Sequence, residues 1–480
     1  MKTLFIKIFV SCLCMSLMAA CQSIVSGLSE DPNNPTDVAP ELLLTTMQLG
    51  DVAVHEGHTA RVAGIWSGYF TGIQQQYKDF QLYNAGASTF SLTWIGGYWL
   101  VLEHEKLIGD RAMPMNNRWL TGIAKVIKAH TAGTITACWG DVPYSQASDN
   151  EHYPDPVFDP QKEVYAQIQT LLSDAIDDLS SGQGSDPKDA DIFLKGNQAK
   201  WIAAAHTLKA RFYMDVKDYE NAYNEALLGI KSADGSVLAP HNTAFGSQNF
   251  YSYGRSVTDI TSQDAYITRL LDSDSDLYRG NIKTNETARF NYYFTYSLLP
   301  NGKKTIYRPN TLNTSNTKGI FATTASFSLI TFQENLLILA ETGLRTKGLA
   351  TGLAHLNTHR QFLNTGGYLD PTYKAAGNFR YEPYAASDFA INGLLNKPGI
   401  APEQALLKEI LLERYVTFFG QKLGFNDLRR TQKETAGVKI PINIGDKLPQ
   451  RFIYSVEEIN ANSNAPFPIP GIFKVTQVNE

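Results

Sequence analysis

Apolar residues recur in this chain every three to four positions, block after block, a period that a helix satisfies and a strand does not. Residues 161–179 carry Val164, Ile168, Leu171, Leu172, Ala175, Ile176 and Leu179 on one face. The same spacing runs through 117–138 (Trp119, Leu120, Ile123, Val126, Ile127) and 402–419 (Leu406, Leu407, Ile410, Leu411, Tyr415, Phe418). Residues 94–109 repeat it with Trp94, Tyr98, Leu102 and Leu107, leaving Glu103, Glu105 and Lys106 on other faces. From Pro40, the run Leu42, Leu43, Leu44, Met47 and Leu49 leads into Val52 and Val54. A chain patterned this way must bury helix faces against helix faces.

Two stretches read as helix pairs. In 197–232, Trp201, Ala204, Leu208, Ala210 and Phe212 form one apolar side. Asp218-Tyr219 marks a turn, and Ala222, Ala226 and Ile230 line the return. In 325–364, Leu336, Leu337, Leu339 and Ala340 precede a break at Gly348, then Ala350 to Leu363. Small and aromatic residues at these spacings are similar to tetratricopeptide-type pairs. Residues 236–320, 365–400 and 436–480 are rich in Ser, Thr, Asn, Gly and Tyr and lack the period. The expected fold is mostly α: a single domain of tetratricopeptide-like helix pairs (an α-α superhelix) carrying long irregular loops. Such loops are commonly binding elements.

The N-terminus gives an address. Lys2 and Lys7 flank or enter an apolar run from Leu4 to Met18, which ends in Leu17-Met18-Ala19-Ala20-Cys21. A basic start, a short apolar core and small residues before a cysteine read as a lipoprotein signal. Residues 1–20 are the expected signal peptide, 21–40 the lipid anchor at Cys21 and a proline-bearing tether, and 41–480 the helical binding domain. Acyl chains stabilise membrane attachment by about 0.8 kcal/mol per buried CH₂. The lipid is then expected to hold the protein on a membrane surface. Cys12 and Cys14 fall in the signal, so Cys138 is left alone and no disulfide framework exists. Beside Ile135 and Trp139, Cys138 reads as inert core. With 42 Lys and Arg against 47 Asp and Glu, and no basic tract, nucleic acid is not an expected partner.

Catalytic and cofactor motifs are weak. No Gly-rich phosphate loop and no Gly-x-Ser-x-Gly elbow occurs, so no cofactor is expected. His355 and His359 sit four apart, but Leu356 stands where a metalloprotease needs Glu, so they read as structural, as do His55 and His58. Asp272, Asp274 and Asp276 alternate like a calcium loop. Leu277 replaces its glycine and Lys283 its bidentate Glu, so a polar surface turn is expected. Glu103 with Glu105, and Asp177 with Asp178, read as solvated helix faces rather than as a facing carboxyl pair.

Aromatic residues carry more. Residues 66–99 interleave Trp66, Tyr69, Phe70, Tyr77, Phe80, Tyr83, Phe90, Trp94, Tyr98 and Trp99 with Gln74, Gln75, Gln76, Lys78, Asp79, Gln81 and Asn84. Rings can cover the C–H faces of a sugar while amides and carboxylates bond its hydroxyl edges; a peptide would use the same groups. A second cluster holds Phe250, Tyr251, Tyr253 and Arg255, then Phe290, Tyr292, Tyr293, Phe294 and Tyr296. The expected ligand contacts are Tyr69, Gln75, Tyr77, Phe80, Tyr83, Asn84, Tyr292 and Tyr296.

Trp139-Gly140-Asp141-Val142-Pro143-Tyr144-Ser145-Gln146-Ala147 is followed by Phe158-Asp159-Pro160-Gln161 and Val164-Tyr165, then by Ala175-Ile176-Asp177-Asp178-Leu179. Further on come Lys200-Trp201, Leu208-Lys209-Ala210-Arg211, Phe425-Asn426-Asp427-Leu428-Arg429-Arg430-Thr431 and Pro449-Gln450-Arg451-Phe452-Ile453-Tyr454. That order resembles the SusD/RagB family of outer-membrane nutrient-binding lipoproteins, in its SusD-like, starch-binding-associating branch. The resemblance implies four tetratricopeptide-like pairs and a SusC-like, TonB-dependent transporter over which the lipoprotein sits as a lid. It also implies capture of oligosaccharides or peptides without chemistry. Its motifs are scaffold motifs: Asp141, Pro143 and Tyr144 are expected to fix a turn, and Asp427 to pair with Arg429 or Arg430. The alternative function is a surface-tethered glycoside hydrolase; a third is a scaffold that binds another protein through its helix pairs.

Overall fold

The structure is a computed structural model that describes residues 38–253 and 255–480. The signal, Cys21 and residues 22–37 of the tether lie outside the described residues, as do the side chains of Arg255 and Ser256.

Eight of the described helices make four successive couples: Arg118–Trp139 with Gln161–Ser180, Gln198–Asp215 with Tyr219–Leu228, Phe332–Lys347 with Leu349–Asn364, and Pro402–Thr417 with Lys422–Arg430. Local chemistry sets where they start. The side chains of Asn117, Asn197, Asp218 and Thr331 each accept a backbone N–H of their helix's first turn, which would otherwise be orphaned. Gly348, at φ +92°, makes the sharp turn expected between the third couple's helices. Close approach needs small residues. A Cβ on Gly133 would lie 2.2 Å from the Phe212 ring, and one on Gly352 would lie 2.5 Å from Leu344 Cβ. The mostly helical, tetratricopeptide-like architecture is therefore as the periodicity required.

Two boundaries differ. Residues 325–331 are not helical: Phe327–Ile330 is a strand paired antiparallel with Val237–Ala239 (Val237↔Ile330, Ala239↔Phe327), and the helix starts after Thr331. Phe, Leu and Ile side by side suit a buried strand as well as a helix. This pairing closes the root of the longest irregular excursion. The block at 94–109 is not a uniform α-helix either. Gly96–Leu102 winds as a π-helix between Ser91–Ile95 and Glu103–Ala112.

One apolar cluster runs from Leu43 to Val478. Its aromatic hub stacks Phe452 on Phe90 (4.6 Å) and on Phe425 (5.7 Å), with Trp139 edge-on at 4.9 Å. The sequence motifs tie chain ends to this hub. Trp139 Nε1 donates to the Ile453 carbonyl, Phe452 N to that of Cys138, and Tyr454 Oη to that of Asp141. Asp141 caps Gln161 N, while Asp159 accepts from the amides of Tyr144 and Ser145, so the Val142–Pro143 and Phe158–Asp159 bridge is a fixed turn. Asp427 pairs with Arg430 at 2.8 Å and with Arg414 at 2.7 Å; Arg429 instead caps the carbonyls of Ala137 and Gln450. Cys138 is fully buried, and burial pushes its thiol pKa up.

Two charge readings need correction. Asp178 is not solvated: it is 5% exposed and receives Arg118 at 2.8 Å and Lys125 at 2.7 Å. Glu105 pairs with Lys128 at 2.6 Å. Each carboxylate meets its cations from the neighbouring helix, which periodicity alone does not reveal.

Candidate ligand-binding site

Helix His58–Trp66 contributes His58 and Arg61 to the wall of a cavity of about 490 Å³. Gln76 and Tyr77 enter from helix Gln75–Gln81, Ser88, Thr89, Leu92 and Thr93 from the next segment, and Phe250 and Tyr253 from the long excursion. The fold thus brings members of both aromatic clusters to one place. Arg61 is the brace. Its Nε donates to Tyr77 Oη at 2.9 Å, and Nη1 to the carbonyls of Glu56 and Phe250. Glu56, fully buried, accepts from Phe250 N at 2.7 Å and pairs with His241 Nε2 at 2.8 Å, which pins the excursion onto the helix end. Burial, with Arg61 and Lys422 adding positive potential, pulls the His58 pKa down to about 4, so its ring is neutral at pH 7. The wall therefore offers ring edges, an amide, three aliphatic and two phenolic hydroxyls, a guanidinium and a neutral imidazole. No Asp or Glu lines this cavity, so the two-carboxyl geometry of glycoside hydrolysis is not built there.

Of the expected contacts, only Tyr77 lines this cavity, through a ring that is itself 2% exposed. Tyr69, Phe80 and Tyr83 are core residues, a correction to the expectation that they face a ligand. Tyr69 Oη donates to the Tyr415 carbonyl at 2.7 Å; Tyr83 Oη accepts from Asn443 N; the Phe80 carbonyl accepts from Trp66 Nε1. The reason is helical: in Gln75–Gln81, Tyr77 and Phe80 are three apart and turn inward, while Gln75, Gln76, Lys78 and Asp79 turn outward. Gln75 and Asn84 are exposed but outside the lining. Tyr292 and Tyr296 are half-buried and elsewhere. Tyr292 packs on Tyr373 at 5.5 Å beside a separate hollow, and Tyr296 on Phe290 at 5.6 Å. His58, Arg61 and Tyr253 were absent from the expected contacts. An arginine and a histidine three apart on an apolar helix were the available signal.

Two possible metal positions resolve differently. Lys304 Nζ lies 2.6 Å from Asp272 Oδ1 and 3.0 Å from Asp274 Oδ2, while Asp276 turns to Arg269. An ammonium thus stands where a calcium loop would hold its ion. Asp51, His55 and His130 bring ligand-type atoms within 4.8 Å of one another in the core. The two imidazoles stack in parallel at 3.7 Å, so their in-plane lone pairs do not converge on one ion. Instead His130 Nδ1 and Thr131 Oγ1 meet the Asp51 carboxylate at 3.0 and 2.7 Å, and His55 Nε2 meets Thr134 Oγ1. Burial opposes ionisation of Asp51, but the two histidines outweigh it and hold its pKa far below the usual range. His359 is buried in a core of ion pairs rather than set with His355 on an open face.

Stacked helix couples with a ring-edged cavity fed by irregular excursions define a tetratricopeptide-like binding protein. A sequence profile described as SusD-like, starch-binding and associating with the outer membrane matches residues 32–454. The chain therefore belongs to the SusD-like family. Solved structures agree on the fold. A SusD homolog from Bacteroides fragilis aligns at TM-score 0.68 and 18% identity, covering 92% of this chain and 100% of that one. A SusD/RagB family protein from Bacteroides thetaiotaomicron aligns at 0.65 and 20%, covering 89% and 95%. A chitin-binding SusD homolog from Flavobacterium johnsoniae aligns at 0.63 and 18%, covering 90% and 98%. No curated protein sequence matches. Among the described residues, no helix is long and apolar enough to cross a membrane.

Proposed function

We propose that the protein is a cell-surface lipoprotein, anchored through Cys21, that captures oligosaccharides and delivers them to a SusC-like, TonB-dependent transporter. The cavity between His58, Arg61, Tyr77 and Tyr253 is the capture site. The observation that carries this reading is the convergence there of both aromatic clusters with amide and hydroxyl groups and no carboxylate. The family's description as starch-binding and outer-membrane-associated supports it, as does the chitin-binding homolog. Binding without turnover is what this reading expects, and the family's binding description favours it over the hydrolase.

The test uses the soluble Cys21→Ala protein with malto- and chito-oligosaccharides. Retention without product is expected. Tyr253→Ala and Gln76→Ala should each weaken binding roughly two- to tenfold, the worth of one ring or one hydrogen bond. Product formation, or unchanged affinity in both variants, would end this assignment. The Cys21→Ala form should also leave the membrane fraction, and the Cys21 form should co-purify with an outer-membrane barrel.

A further inference from the structure

A second cavity, of about 470 Å³, is lined by Trp94, Ile95, Tyr98 and Trp99, which follow directly on the segment that borders the first. Its floor is aromatic and held in place. Trp94 Nε1 donates to Glu458 Oε2 at 3.2 Å, and Tyr98 Oη donates to the Pro143 carbonyl at 2.7 Å. The two rings lie 4.8 Å apart. Trp99 flanks them with 65% of its surface exposed, on the π-helical turn Gly96–Leu102. A π-turn is wider than an α-turn and recurs at functional sites. A large exposed indole beside locked rings has no folding role that the contacts explain.

The polar content has one sign. Glu103, Glu457 and Glu458 line the cavity, and no Lys, Arg or His does. Among the described residues, none of the three has a salt-bridge partner; Lys106 reaches the rim only to donate to the Ser148 carbonyl. The neutral amide of Asn462 is already engaged, by the Pro156 carbonyl and Glu458 Oε1. Ser148 and Asn150 also reach the wall, and the rest is mostly proline and alanine. A neutral sugar would leave the carboxylates without a countercharge. An aliphatic stem ending in a cation is what it fits: the stem lies on Pro143, Pro154 and Trp99, and the head meets carboxylates and indole faces together.

We propose that this cavity is a second ligand site, which takes the lysine or arginine side chain of a basic peptide. It stands independently of the glycan reading, because the two cavities share a segment but no lining residue.

Calorimetric titration of the Cys21→Ala protein with tetralysine tests it, with side-chain-acetylated tetralysine and a deacetylated chitosan tetramer as comparison ligands. Tetralysine should bind, more weakly as salt rises, and the acetylated form should not. Trp99→Ala and the double variant Glu103→Gln/Glu457→Gln should each weaken binding at least tenfold, while Tyr253→Ala leaves it unchanged. All these side chains are at least partly exposed, so an unaltered melting temperature certifies folding. Equal binding of acetylated peptide, indifference to Trp99→Ala, or binding of the chitosan tetramer alone would overturn the assignment.

Discussion

Replacing Glu341 by Gln asks whether the helix couples are fastened by charge as well as by apolar contact. The Glu341 side chain is fully buried. It accepts from Arg430 at 2.6 and 2.8 Å and from Arg345 at 3.0 Å, with Arg414 at 3.4 Å. Burial alone would raise its pKa; Arg430, Arg345 and Arg414 outweigh that and hold it at about 2, against an ordinary 4.5. At about 1.4 kcal/mol per tenfold change, the carboxylate contributes on the order of 3 kcal/mol. Removing one partner of a buried pair costs a similar amount, about 3–5 kcal/mol. Because the folded pKa is depressed, this contribution is fully present above the unfolded value near 4.5 and is lost as pH falls toward 2. Urea unfolding of the Cys21→Ala protein should therefore show Glu341→Gln less stable by about 3 kcal/mol at pH 7. The gap should narrow steadily below about pH 4.5. A loss under about 1 kcal/mol at pH 7, or a gap that persists at low pH, would show that the guanidinium cluster does not hold the couples together.

Other outcomes follow from the same contacts. Because the Lys304 ammonium already occupies the Asp272–Asp274 turn, adding calcium or EDTA should leave the melting temperature unchanged; a calcium-dependent rise of several degrees would contradict that occupancy. Cys138 in the Cys21→Ala mature form should stay silent to a thiol reagent until denaturant is added, since burial both shields it and raises its pKa; fast labelling of native protein would refute this. Gly133→Leu should destabilise strongly, by more than about 2 kcal/mol, because any side chain there strikes the Phe212 ring; a melting temperature within a degree of the parent would show that the helices can part.

What the sequence made legible was periodic. Val164, Ile168 and Leu172 alone announce a buried face, and Asp218 and Gly348 punctuate their pairs with caps and turns that depend on adjacent residues only. The same reasoning misjudged Phe80 and Tyr83 because rings among polar residues look alike whether the helix turns them inward or outward. The three-residue step from Tyr77 to Phe80 was the clue. Lys304 could not be foreseen beside Asp272, nor Lys125 beside Asp178, because those encounters join distant stretches of chain. The cavity beside Arg61 is of that kind too. Arg61 and Phe250 meet only because Glu56 and the excursion's fold bring them together.

The pairing of Val237–Ala239 with Phe327–Ile330 gives the intervening chain a common doorway. The chain between does not hang free of the frame: Thr261 pairs with Thr71, Thr284 with Tyr381, and Arg279 and Arg289 both meet Glu413 of the last couple. Doorway and frame are therefore one fabric, and a graft cut only at this pairing would strip the buried Glu413 of both its guanidiniums.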